Sequence, residues 1–376
     1  MTPAGGAGAD GLAADLARRR IVVVCGSGGV GKTTVAAALA VAQARAGRRT
    51  VVMTVDPARR LVSALGLPKA PGEQRTVRLD DGTELDAVML DTQRTFDDLV
   101  ARYAGSAERR DRILSNGFYR RMADTLMGTN EYMAMERLYE LATDPEHDWE
   151  SIVVDTPPTR SALSFLDAPR RLLDFLGGRM FRWLLWPYRR VGKAGLRGAN
   201  IGARALAATV GKIAGGDLLQ DTAEFLGAFE GMYEGFQDRA KHVLGLMGEE
   251  QTGFVVVTAP ERPSLAEAAH FVDRLTDSNM GLAGVVVNRW RSGPDLEVDV
   301  ATVERLLASD AAGDRAAAAC LDVAERLRAL ERRGADAVAE FRGGHDDVPI
   351  TTVPELPLDV RDRIGVDLMA RHLFEG

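Results

Sequence analysis

Nine consecutive residues, Gly26-Ser27-Gly28-Gly29-Val30-Gly31-Lys32-Thr33-Thr34, restrict this chain more than any other stretch. They satisfy the phosphate-loop pattern G-x-x-x-x-G-K-[ST]. The run before them, Ile21-Val22-Val23-Val24-Cys25, is short, apolar and β-branched, which predicts a buried parallel strand. The run after them, from Thr34 to Ala46, is alanine-rich and stops at Gly47, which predicts a helix. Glycines between a strand and a helix let backbone N–H groups turn toward phosphate oxygens. Lys32 would bring a point charge to the β- and γ-phosphates, and the Thr33 hydroxyl would ligate Mg²⁺. Thr34 opens a helix whose N-terminus favours an anion. The competing reading, an unoccupied glycine turn, would make the flanking strand and helix coincidental.

Further strands follow the same logic. Thr50 to Val55 is expected to be the second and ends at Asp56-Pro57; Ser151 to Asp155 is the third. Gly253 to Thr258, Leu282 to Val287 and Val348 to Val353 are three more, followed by Asn288 and by Pro354-Glu355-Leu356-Pro357 respectively. Strand–loop–helix–strand order predicts an α/β chain with a doubly wound, mostly parallel sheet, in which ligands lie outside the carboxyl ends of the strands. Asp155, at a strand end, is then a candidate to hold magnesium through its waters, and Asp56 a candidate to position the attacking water. Either could instead cap a helix. The guanine-reading Asn-Lys-x-Asp motif does not occur. Asn288 is a candidate to read adenine through its amide, or a plain strand-end residue.

Composition narrows the function classes. The net charge of -7 gives no reason to expect nucleic-acid binding. Two cysteines, Cys25 and Cys320, supply neither a disulfide framework nor a metal cluster. The small, polar first ten residues lack the apolar segment of a signal peptide. No run of 18 uninterrupted apolar residues is present. The expectation is a cytoplasmic protein, with peripheral membrane contact allowed.

The expected organisation is a disordered tail at 1–17, a nucleotide domain from 18–95, 148–160 and 250–376, and an inserted α-helical subdomain from 96–147 and 161–249. Within the nucleotide domain, 300–342 reads as a polar, solvated helical hairpin. Ser161 to Gly216 holds ten basic and two acidic residues. There, Leu172, Leu173, Leu176, Met180, Trp183 and Leu184 occupy roughly one third of a helix circumference. Three readings stand: ordinary core packing, a groove for a hydrophobic helical client, or contact with an anionic membrane surface.

Taken in order, the loop Gly26 to Thr34, Thr54-Val55-Asp56-Pro57-Ala58, Gly128 to Met135, Asp155-Thr156-Pro157-Pro158-Thr159, Val287-Asn288-Arg289 and Val353 to Pro357 resemble the motifs of the arsenite-pump and tail-anchored-protein-targeting ATPases. The likeness covers about residues 20 to 372, and is similar to an actinobacterial version in which two related ATPases work as a pair. It implies ATP and Mg²⁺ as ligands, with Asp56 as the water-activating residue and Asp155, Thr156, Pro157, Pro158, Thr159 and Arg160 as a switch segment. It also implies that Asn288, Pro354 and Leu356 lie around adenine, and that two ATP sites face each other in a dimer.

The chain departs from that pattern in three ways. It has no Cys-x-x-Cys pair, so no structural zinc is expected, and no three cysteines to gather a metalloid. The residue after the first loop glycine, a second lysine in the resembling proteins, is Ser27 here. A cation reaching a triphosphate across an interface is worth ~4–7 kcal/mol in the analogous arginine-finger systems. A homodimer would lack it at both sites. A heterodimer with a lysine-bearing relative would restore it at one, and is favoured; a local arginine, Arg59, Arg60 or Arg160, is the competing source. A small-molecule kinase or ligase, and a subunit whose nucleotide is structural, remain alternative functions.

Overall fold

The computed structural model describes residues 6–55, 60–66, 74–103, 106–115, 130–157, 167, 170, 173–174, 235, 237–292, 300–308, 312–356 and 362–374. Its centre is an eight-stranded sheet in the order β3-β4-β2-β5-β1-β6-β7-β8. The strands are β1 (Ile21–Gly26), β2 (Thr50–Thr54), β3 (Gln74–Arg78), β4 (Glu84–Met89), β5 (Ser151–Asp155), β6 (Thr252–Thr258), β7 (Leu282–Trp290) and β8 (Ile350–Pro354). All pairings are parallel except β3 with β4. The expected α/β doubly wound, mostly parallel sheet is therefore present.

β1 lies between β5 and β6, and all three are buried along their length. A strand covered on both faces reads as a continuous apolar run rather than an alternating one. Alternation nevertheless sorts the side chains, because successive residues point to opposite faces. Ile21, Val23 and Cys25 pack on one face, Val22 and Val24 on the other.

The helices are α1 (Gly6–Arg18), α2 (Lys32–Arg45), α3 (Arg60–Ala64), α4 (Thr92–Tyr103), α5 (Ala107–Ser115), α6 (Asn130–Ala142), α7 (Arg262–Asp277), α8 (Val300–Leu307), α9 (Ala312–Gly344) and α10 (Arg363–Phe374). Residues 237–248 are also helical. The face of Val22 and Val24 is covered by α1, α2 and α10, and the opposite face by α6, α7, the C-terminal part of α9 and the helix at 237–248.

Four expectations change here. The reading of 1–17 as a disordered tail fails from Gly6 onward. α1 buries Leu12 and Leu16, and Asp15 holds Arg19 at 2.9 Å. Small polar residues at 1–10 concealed the apolar pair one turn further on. The strand expected over Leu282–Val287 continues to Trp290, so Asn288 lies within it. The antiparallel pair β3–β4 was not anticipated, because Gln74–Arg78 is polar and sits at the sheet edge. In the 300–342 hairpin one side of α9 is not solvated: Ala337, Val338 and Phe341 join the core. Apart from Asp167, Arg170, Leu173 and Asp174, the run 161–234 lies outside the described residues, and with it the Leu172–Leu184 stripe and its borders.

Candidate functional site

The sheet register brings the candidates to one edge. Val24 lies opposite Asp155, and Thr54 opposite Asp155 on the other side. β2 and β5 thus end level with each other, while β1, on the other side of β5, runs two residues further to Gly26, where the loop Ser27–Gly31 leaves it. Three glycines turn it with positive φ: Gly26 (143°), Gly29 (82°) and Gly31 (98°). Gly26 has a second constraint. A Cβ there would sit 2.1 Å from the Val257 carbonyl oxygen. Around Gly28 and Gly29, by contrast, an added Cβ would meet nothing within 4 Å. The loop is pinned where it leaves the sheet and open at its crest, the shape of a cradle for an anion.

Lys32 begins α2 and is only 5% exposed; its Nζ donates to the Ser27 carbonyl at 2.8 Å. That bond closes the loop on itself and holds the ammonium over the backbone that surrounds the cradle. α2 starts at Lys32, two residues before the expected Thr34, with Gly31 in the left-handed conformation as its N-cap. Thr33 and Thr34 are half-buried at the start of the helix.

Asp155 is fully buried, and its Oδ2 accepts a hydrogen bond from Thr54 Oγ1 at 2.8 Å. Thr156 donates through its hydroxyl to the Val24 carbonyl at 2.9 Å, tying the segment after β5 to β1. Pro157 is buried with them, while Asp56, Pro158, Thr159 and Arg160 lie outside the described residues. A buried carboxylate at the end of β5 and a half-buried threonine hydroxyl in the first turn of α2 are oxygen donors of the kind that suits Mg²⁺. The residues present therefore fit a magnesium-bound phosphate.

Asn288 joins the site from the other side of β1. Its Nδ2 donates to the Val30 carbonyl at 2.8 Å, and its Oδ1 accepts from the Arg289 backbone N–H at 2.9 Å. It is 4% exposed, and a Cβ on Gly31 would lie 2.3 Å from its Nδ2. Asn288 braces the phosphate loop, a role that its position in the sequence did not suggest. Pro354 and Leu356 are half-buried at the end of β8, where Glu355 N–H donates to the Trp290 carbonyl at 2.8 Å. Cys25 is buried under the loop, and burial pushes its thiol up against the smaller opposing effect of Lys32, so it acts as apolar filling.

Residues 19–305 match the sequence model of the anion-transporting ATPases. The chain belongs to that family. An "ATPase get3" of Aspergillus terreus is 28% identical over 282 residues, 72% of this chain and 73% of that protein. A protein of Mycobacterium tuberculosis is 35% identical over 164 residues, 41% of this chain and 38% of its own length. An uncharacterised protein of Streptomyces coelicolor is 33% identical over 197 residues, 52% and 45% of the two chains. The family is one of ATPases, and the phosphate loop lies within the matched residues.

Two parts of this candidate site escaped the sequence reading. Thr54 is the hydroxyl partner of the buried carboxylate, signalled only by a polar residue at the end of an apolar strand. The Arg291–Glu355 pair clamps the ends of β7 and β8, with Nη2 to Oε1 at 3.1 Å, and no spacing in the sequence announced it.

Proposed function

We propose that this chain is an ATP-driven switch working as one subunit of a heterodimer with a lysine-bearing relative, and that it couples ATP–Mg²⁺ to movement of a helical subdomain. The observation that carries the reading is the cradle: glycines with positive φ, an open crest and Lys32 fixed on the Ser27 carbonyl. In this reading Gly26 to Thr34 hold the triphosphate, with Lys32 at the β- and γ-phosphates. Thr33 and, through water, Asp155 hold Mg²⁺. Bound magnesium would neutralise charge on the phosphates. Asp56 would orient and deprotonate the attacking water. Asn288, Pro354 and Leu356 would surround adenine. The Asn288 amide nitrogen carries two hydrogens, so bracing Val30 with one leaves another for a base acceptor.

Ser27 supports the asymmetric assembly. Its side chain is neutral, and its carbonyl is the acceptor for Lys32. The cation absent from position 27 would come from the relative and reach only the nucleotide held by this chain. Residues Asp155 to Arg160 would act as the γ-phosphate sensor. Arg160 runs directly into Ser161 and the second insertion, so movement of the sensor pulls on that insertion. A hydrophobic helical client, or an anionic membrane surface contacted from the cytoplasm, is what the insertion would engage. No described helix is long and apolar enough to cross a membrane.

The test is steady-state ATP turnover of the purified chain beside Ser27→Lys, with co-purification of the native complex. Ser27→Lys should raise turnover of the lone chain by about 10³-fold or more, the scale of a cation supplied in trans. The native complex should contain a second, lysine-bearing ATPase. Fast turnover by the wild-type homodimer would overturn the assembly. Absence of Mg²⁺-dependent ATP binding would overturn the whole reading.

A further inference from the structure

Two threonine hydroxyls act on the end of β5, and they tie down different things. Thr156 Oγ1 donates to the Val24 carbonyl and so fixes the backbone just after Asp155. Thr54 Oγ1 donates to the Asp155 carboxylate itself, at Oδ2. Thr54 is an unusual residue for its place. The residues before it, Val51-Val52-Met53, are inaccessible to solvent, and Thr54 is buried with them. By alternation Thr54 shares the face of Val52, and Asp155 that of Val153, which is the face covered by α2. The register sets the two side by side across β2 and β5. A hydroxyl buried there needs a partner, and β5 supplies an anionic one.

The backbone around the pair is held. Val55 N–H donates to the Asp155 carbonyl at 3.1 Å, and Leu90 N–H to the Thr54 carbonyl at 2.9 Å. A β-branched side chain is stiff at χ1, so a threonine anchored in this way presents its donor in a preset direction. A carboxylate has no such stiffness, because its terminal torsion is broad. Thr54 is therefore the member of the pair that sets an orientation, and Asp155 the member that receives it.

We propose that Thr54 is a positioning residue for magnesium: its hydroxyl fixes the rotation of the Asp155 carboxylate, so that Asp155 meets the water shell of the ion in one orientation. Thr54 acts through Asp155 and is not itself a ligand. The role rests on the assignment of Mg²⁺ to Thr33 and Asp155 made above. Partners that orient a ligating carboxylate are worth 10–100-fold in metal affinity, and contact through water puts Asp155 at the lower end, about tenfold.

The experiment is calorimetric titration of ADP into the purified full chain, in EDTA and at stepped MgCl₂ concentrations, so that no turnover is needed. Thr54→Val keeps the shape and the strand preference and removes the hydroxyl. It should leave ADP affinity in EDTA unchanged and raise the Mg²⁺ midpoint about tenfold. Thr54→Ser restores the donor while opening a small cavity, so it should return the midpoint to the wild-type value even as it lowers stability. Thr50→Val removes a buried hydroxyl from the other end of the same strand, where it donates to the Arg48 carbonyl, and should leave the midpoint in place. The proposal is overturned if Thr54→Val does not move the midpoint, or if Thr54→Ser or Thr50→Val moves it as far. It is also overturned if Thr54→Val loses ADP equally in EDTA and in Mg²⁺, which would make the bond a structural one. A wild type whose ADP affinity ignores Mg²⁺ would instead remove the metal assignment, and the role of Thr54 with it.

Discussion

The two faces of the central sheet are built from different materials. On one, α2 is buried almost all round, with Ala36 to Ala40 inaccessible to solvent between the sheet and α10. Alanine allows backbone to approach backbone, so the helix that begins at Lys32 has little room to shift. On the other face, α6 meets the helix at 237–248 through a buried ionic contact. Arg239 Nε lies 2.8 and 2.7 Å from the two Glu136 oxygens, and Tyr132 donates its hydroxyl to Oε1 at 2.7 Å. Glu136 is 2% exposed and Arg239 4%. The first face holds the phosphate cradle by close packing. The second joins the two insertion segments by a link whose stability requires both partners to stay together.

The sharpest way to break this comparison is to remove one charge from the second face. Arg239→Ala should destabilise the protein by about 3–5 kcal/mol in urea unfolding, because Glu136 is left buried and uncompensated. Replacing both, Glu136→Met with Arg239→Leu, should recover most of that loss. The pH dependence carries a sign. Burial raises the Glu136 carboxyl above its ordinary value, while Arg239 and then Tyr132 oppose the rise. A folded-state value above the unfolded one gives stability that is complete at low pH and lost as pH climbs through the raised value. The deficit of Arg239→Ala should therefore shrink as pH falls toward the ordinary glutamate range.

Next in size is the packed face. Ala37 is inaccessible, and Ala37→Leu should cost about 1–3 kcal/mol by overpacking α2 against the sheet. Ala339→Leu, on the exposed side of α9, should change stability by less than about 0.5 kcal/mol. If the two substitutions had equal cost in thermal unfolding, the contrast between close-packed and open surfaces would fail.

These contrasts also explain what was legible in the sequence. β1, the glycine loop and α2 were readable because strand, turn and helix each impose a local pattern that agrees with its neighbours. The place of Asp155 at the buried end of β5 was readable because the run before it is short, apolar and β-branched. The Glu136–Arg239 pair was not, because 103 residues separate its members and the register of two distant helices brings them together. Asn288 was expected to read adenine, and its bracing of the loop was not legible, since its partner is a backbone carbonyl with no sequence signature. α1 was missed because Leu12 and Leu16 make too short a periodicity to stand out beside a glycine-rich start.

Asn288 bridges the packed face and the loop, so removing its amide tests whether packing alone holds the cradle. Asn288→Ala leaves the buried Val30 carbonyl without its donor, at a cost of about 1–3 kcal/mol. Hydrogen exchange should accelerate at the amides of Gly31 to Thr33 and stay slow in β1. Unchanged exchange at Gly31 would mean that α2 packing suffices.

The smallest effect belongs to the clamp at the far edge of the site. The Arg291 hydrogen bonds hold the Glu355 carboxyl below its usual value, with partial burial opposing them and the Arg291 charge adding to them. A depressed acid gives stability that is present above its unfolded value, near 4.5, and lost as pH falls through the lower folded one. The two side chains are 41% and 42% exposed, so screening limits the pair to under about 1 kcal/mol. The wild type should lose that increment between pH 5 and pH 3 (the span of an ordinary carboxylate titration), and Glu355→Gln should not. Because Glu355 N–H also donates to the Trp290 carbonyl, Glu355→Gln should keep β7 and β8 joined. Urea midpoints compared across that pH range separate the two contributions. A wild type and a Glu355→Gln variant that weaken in parallel on acidification would show that the backbone bond alone closes this edge.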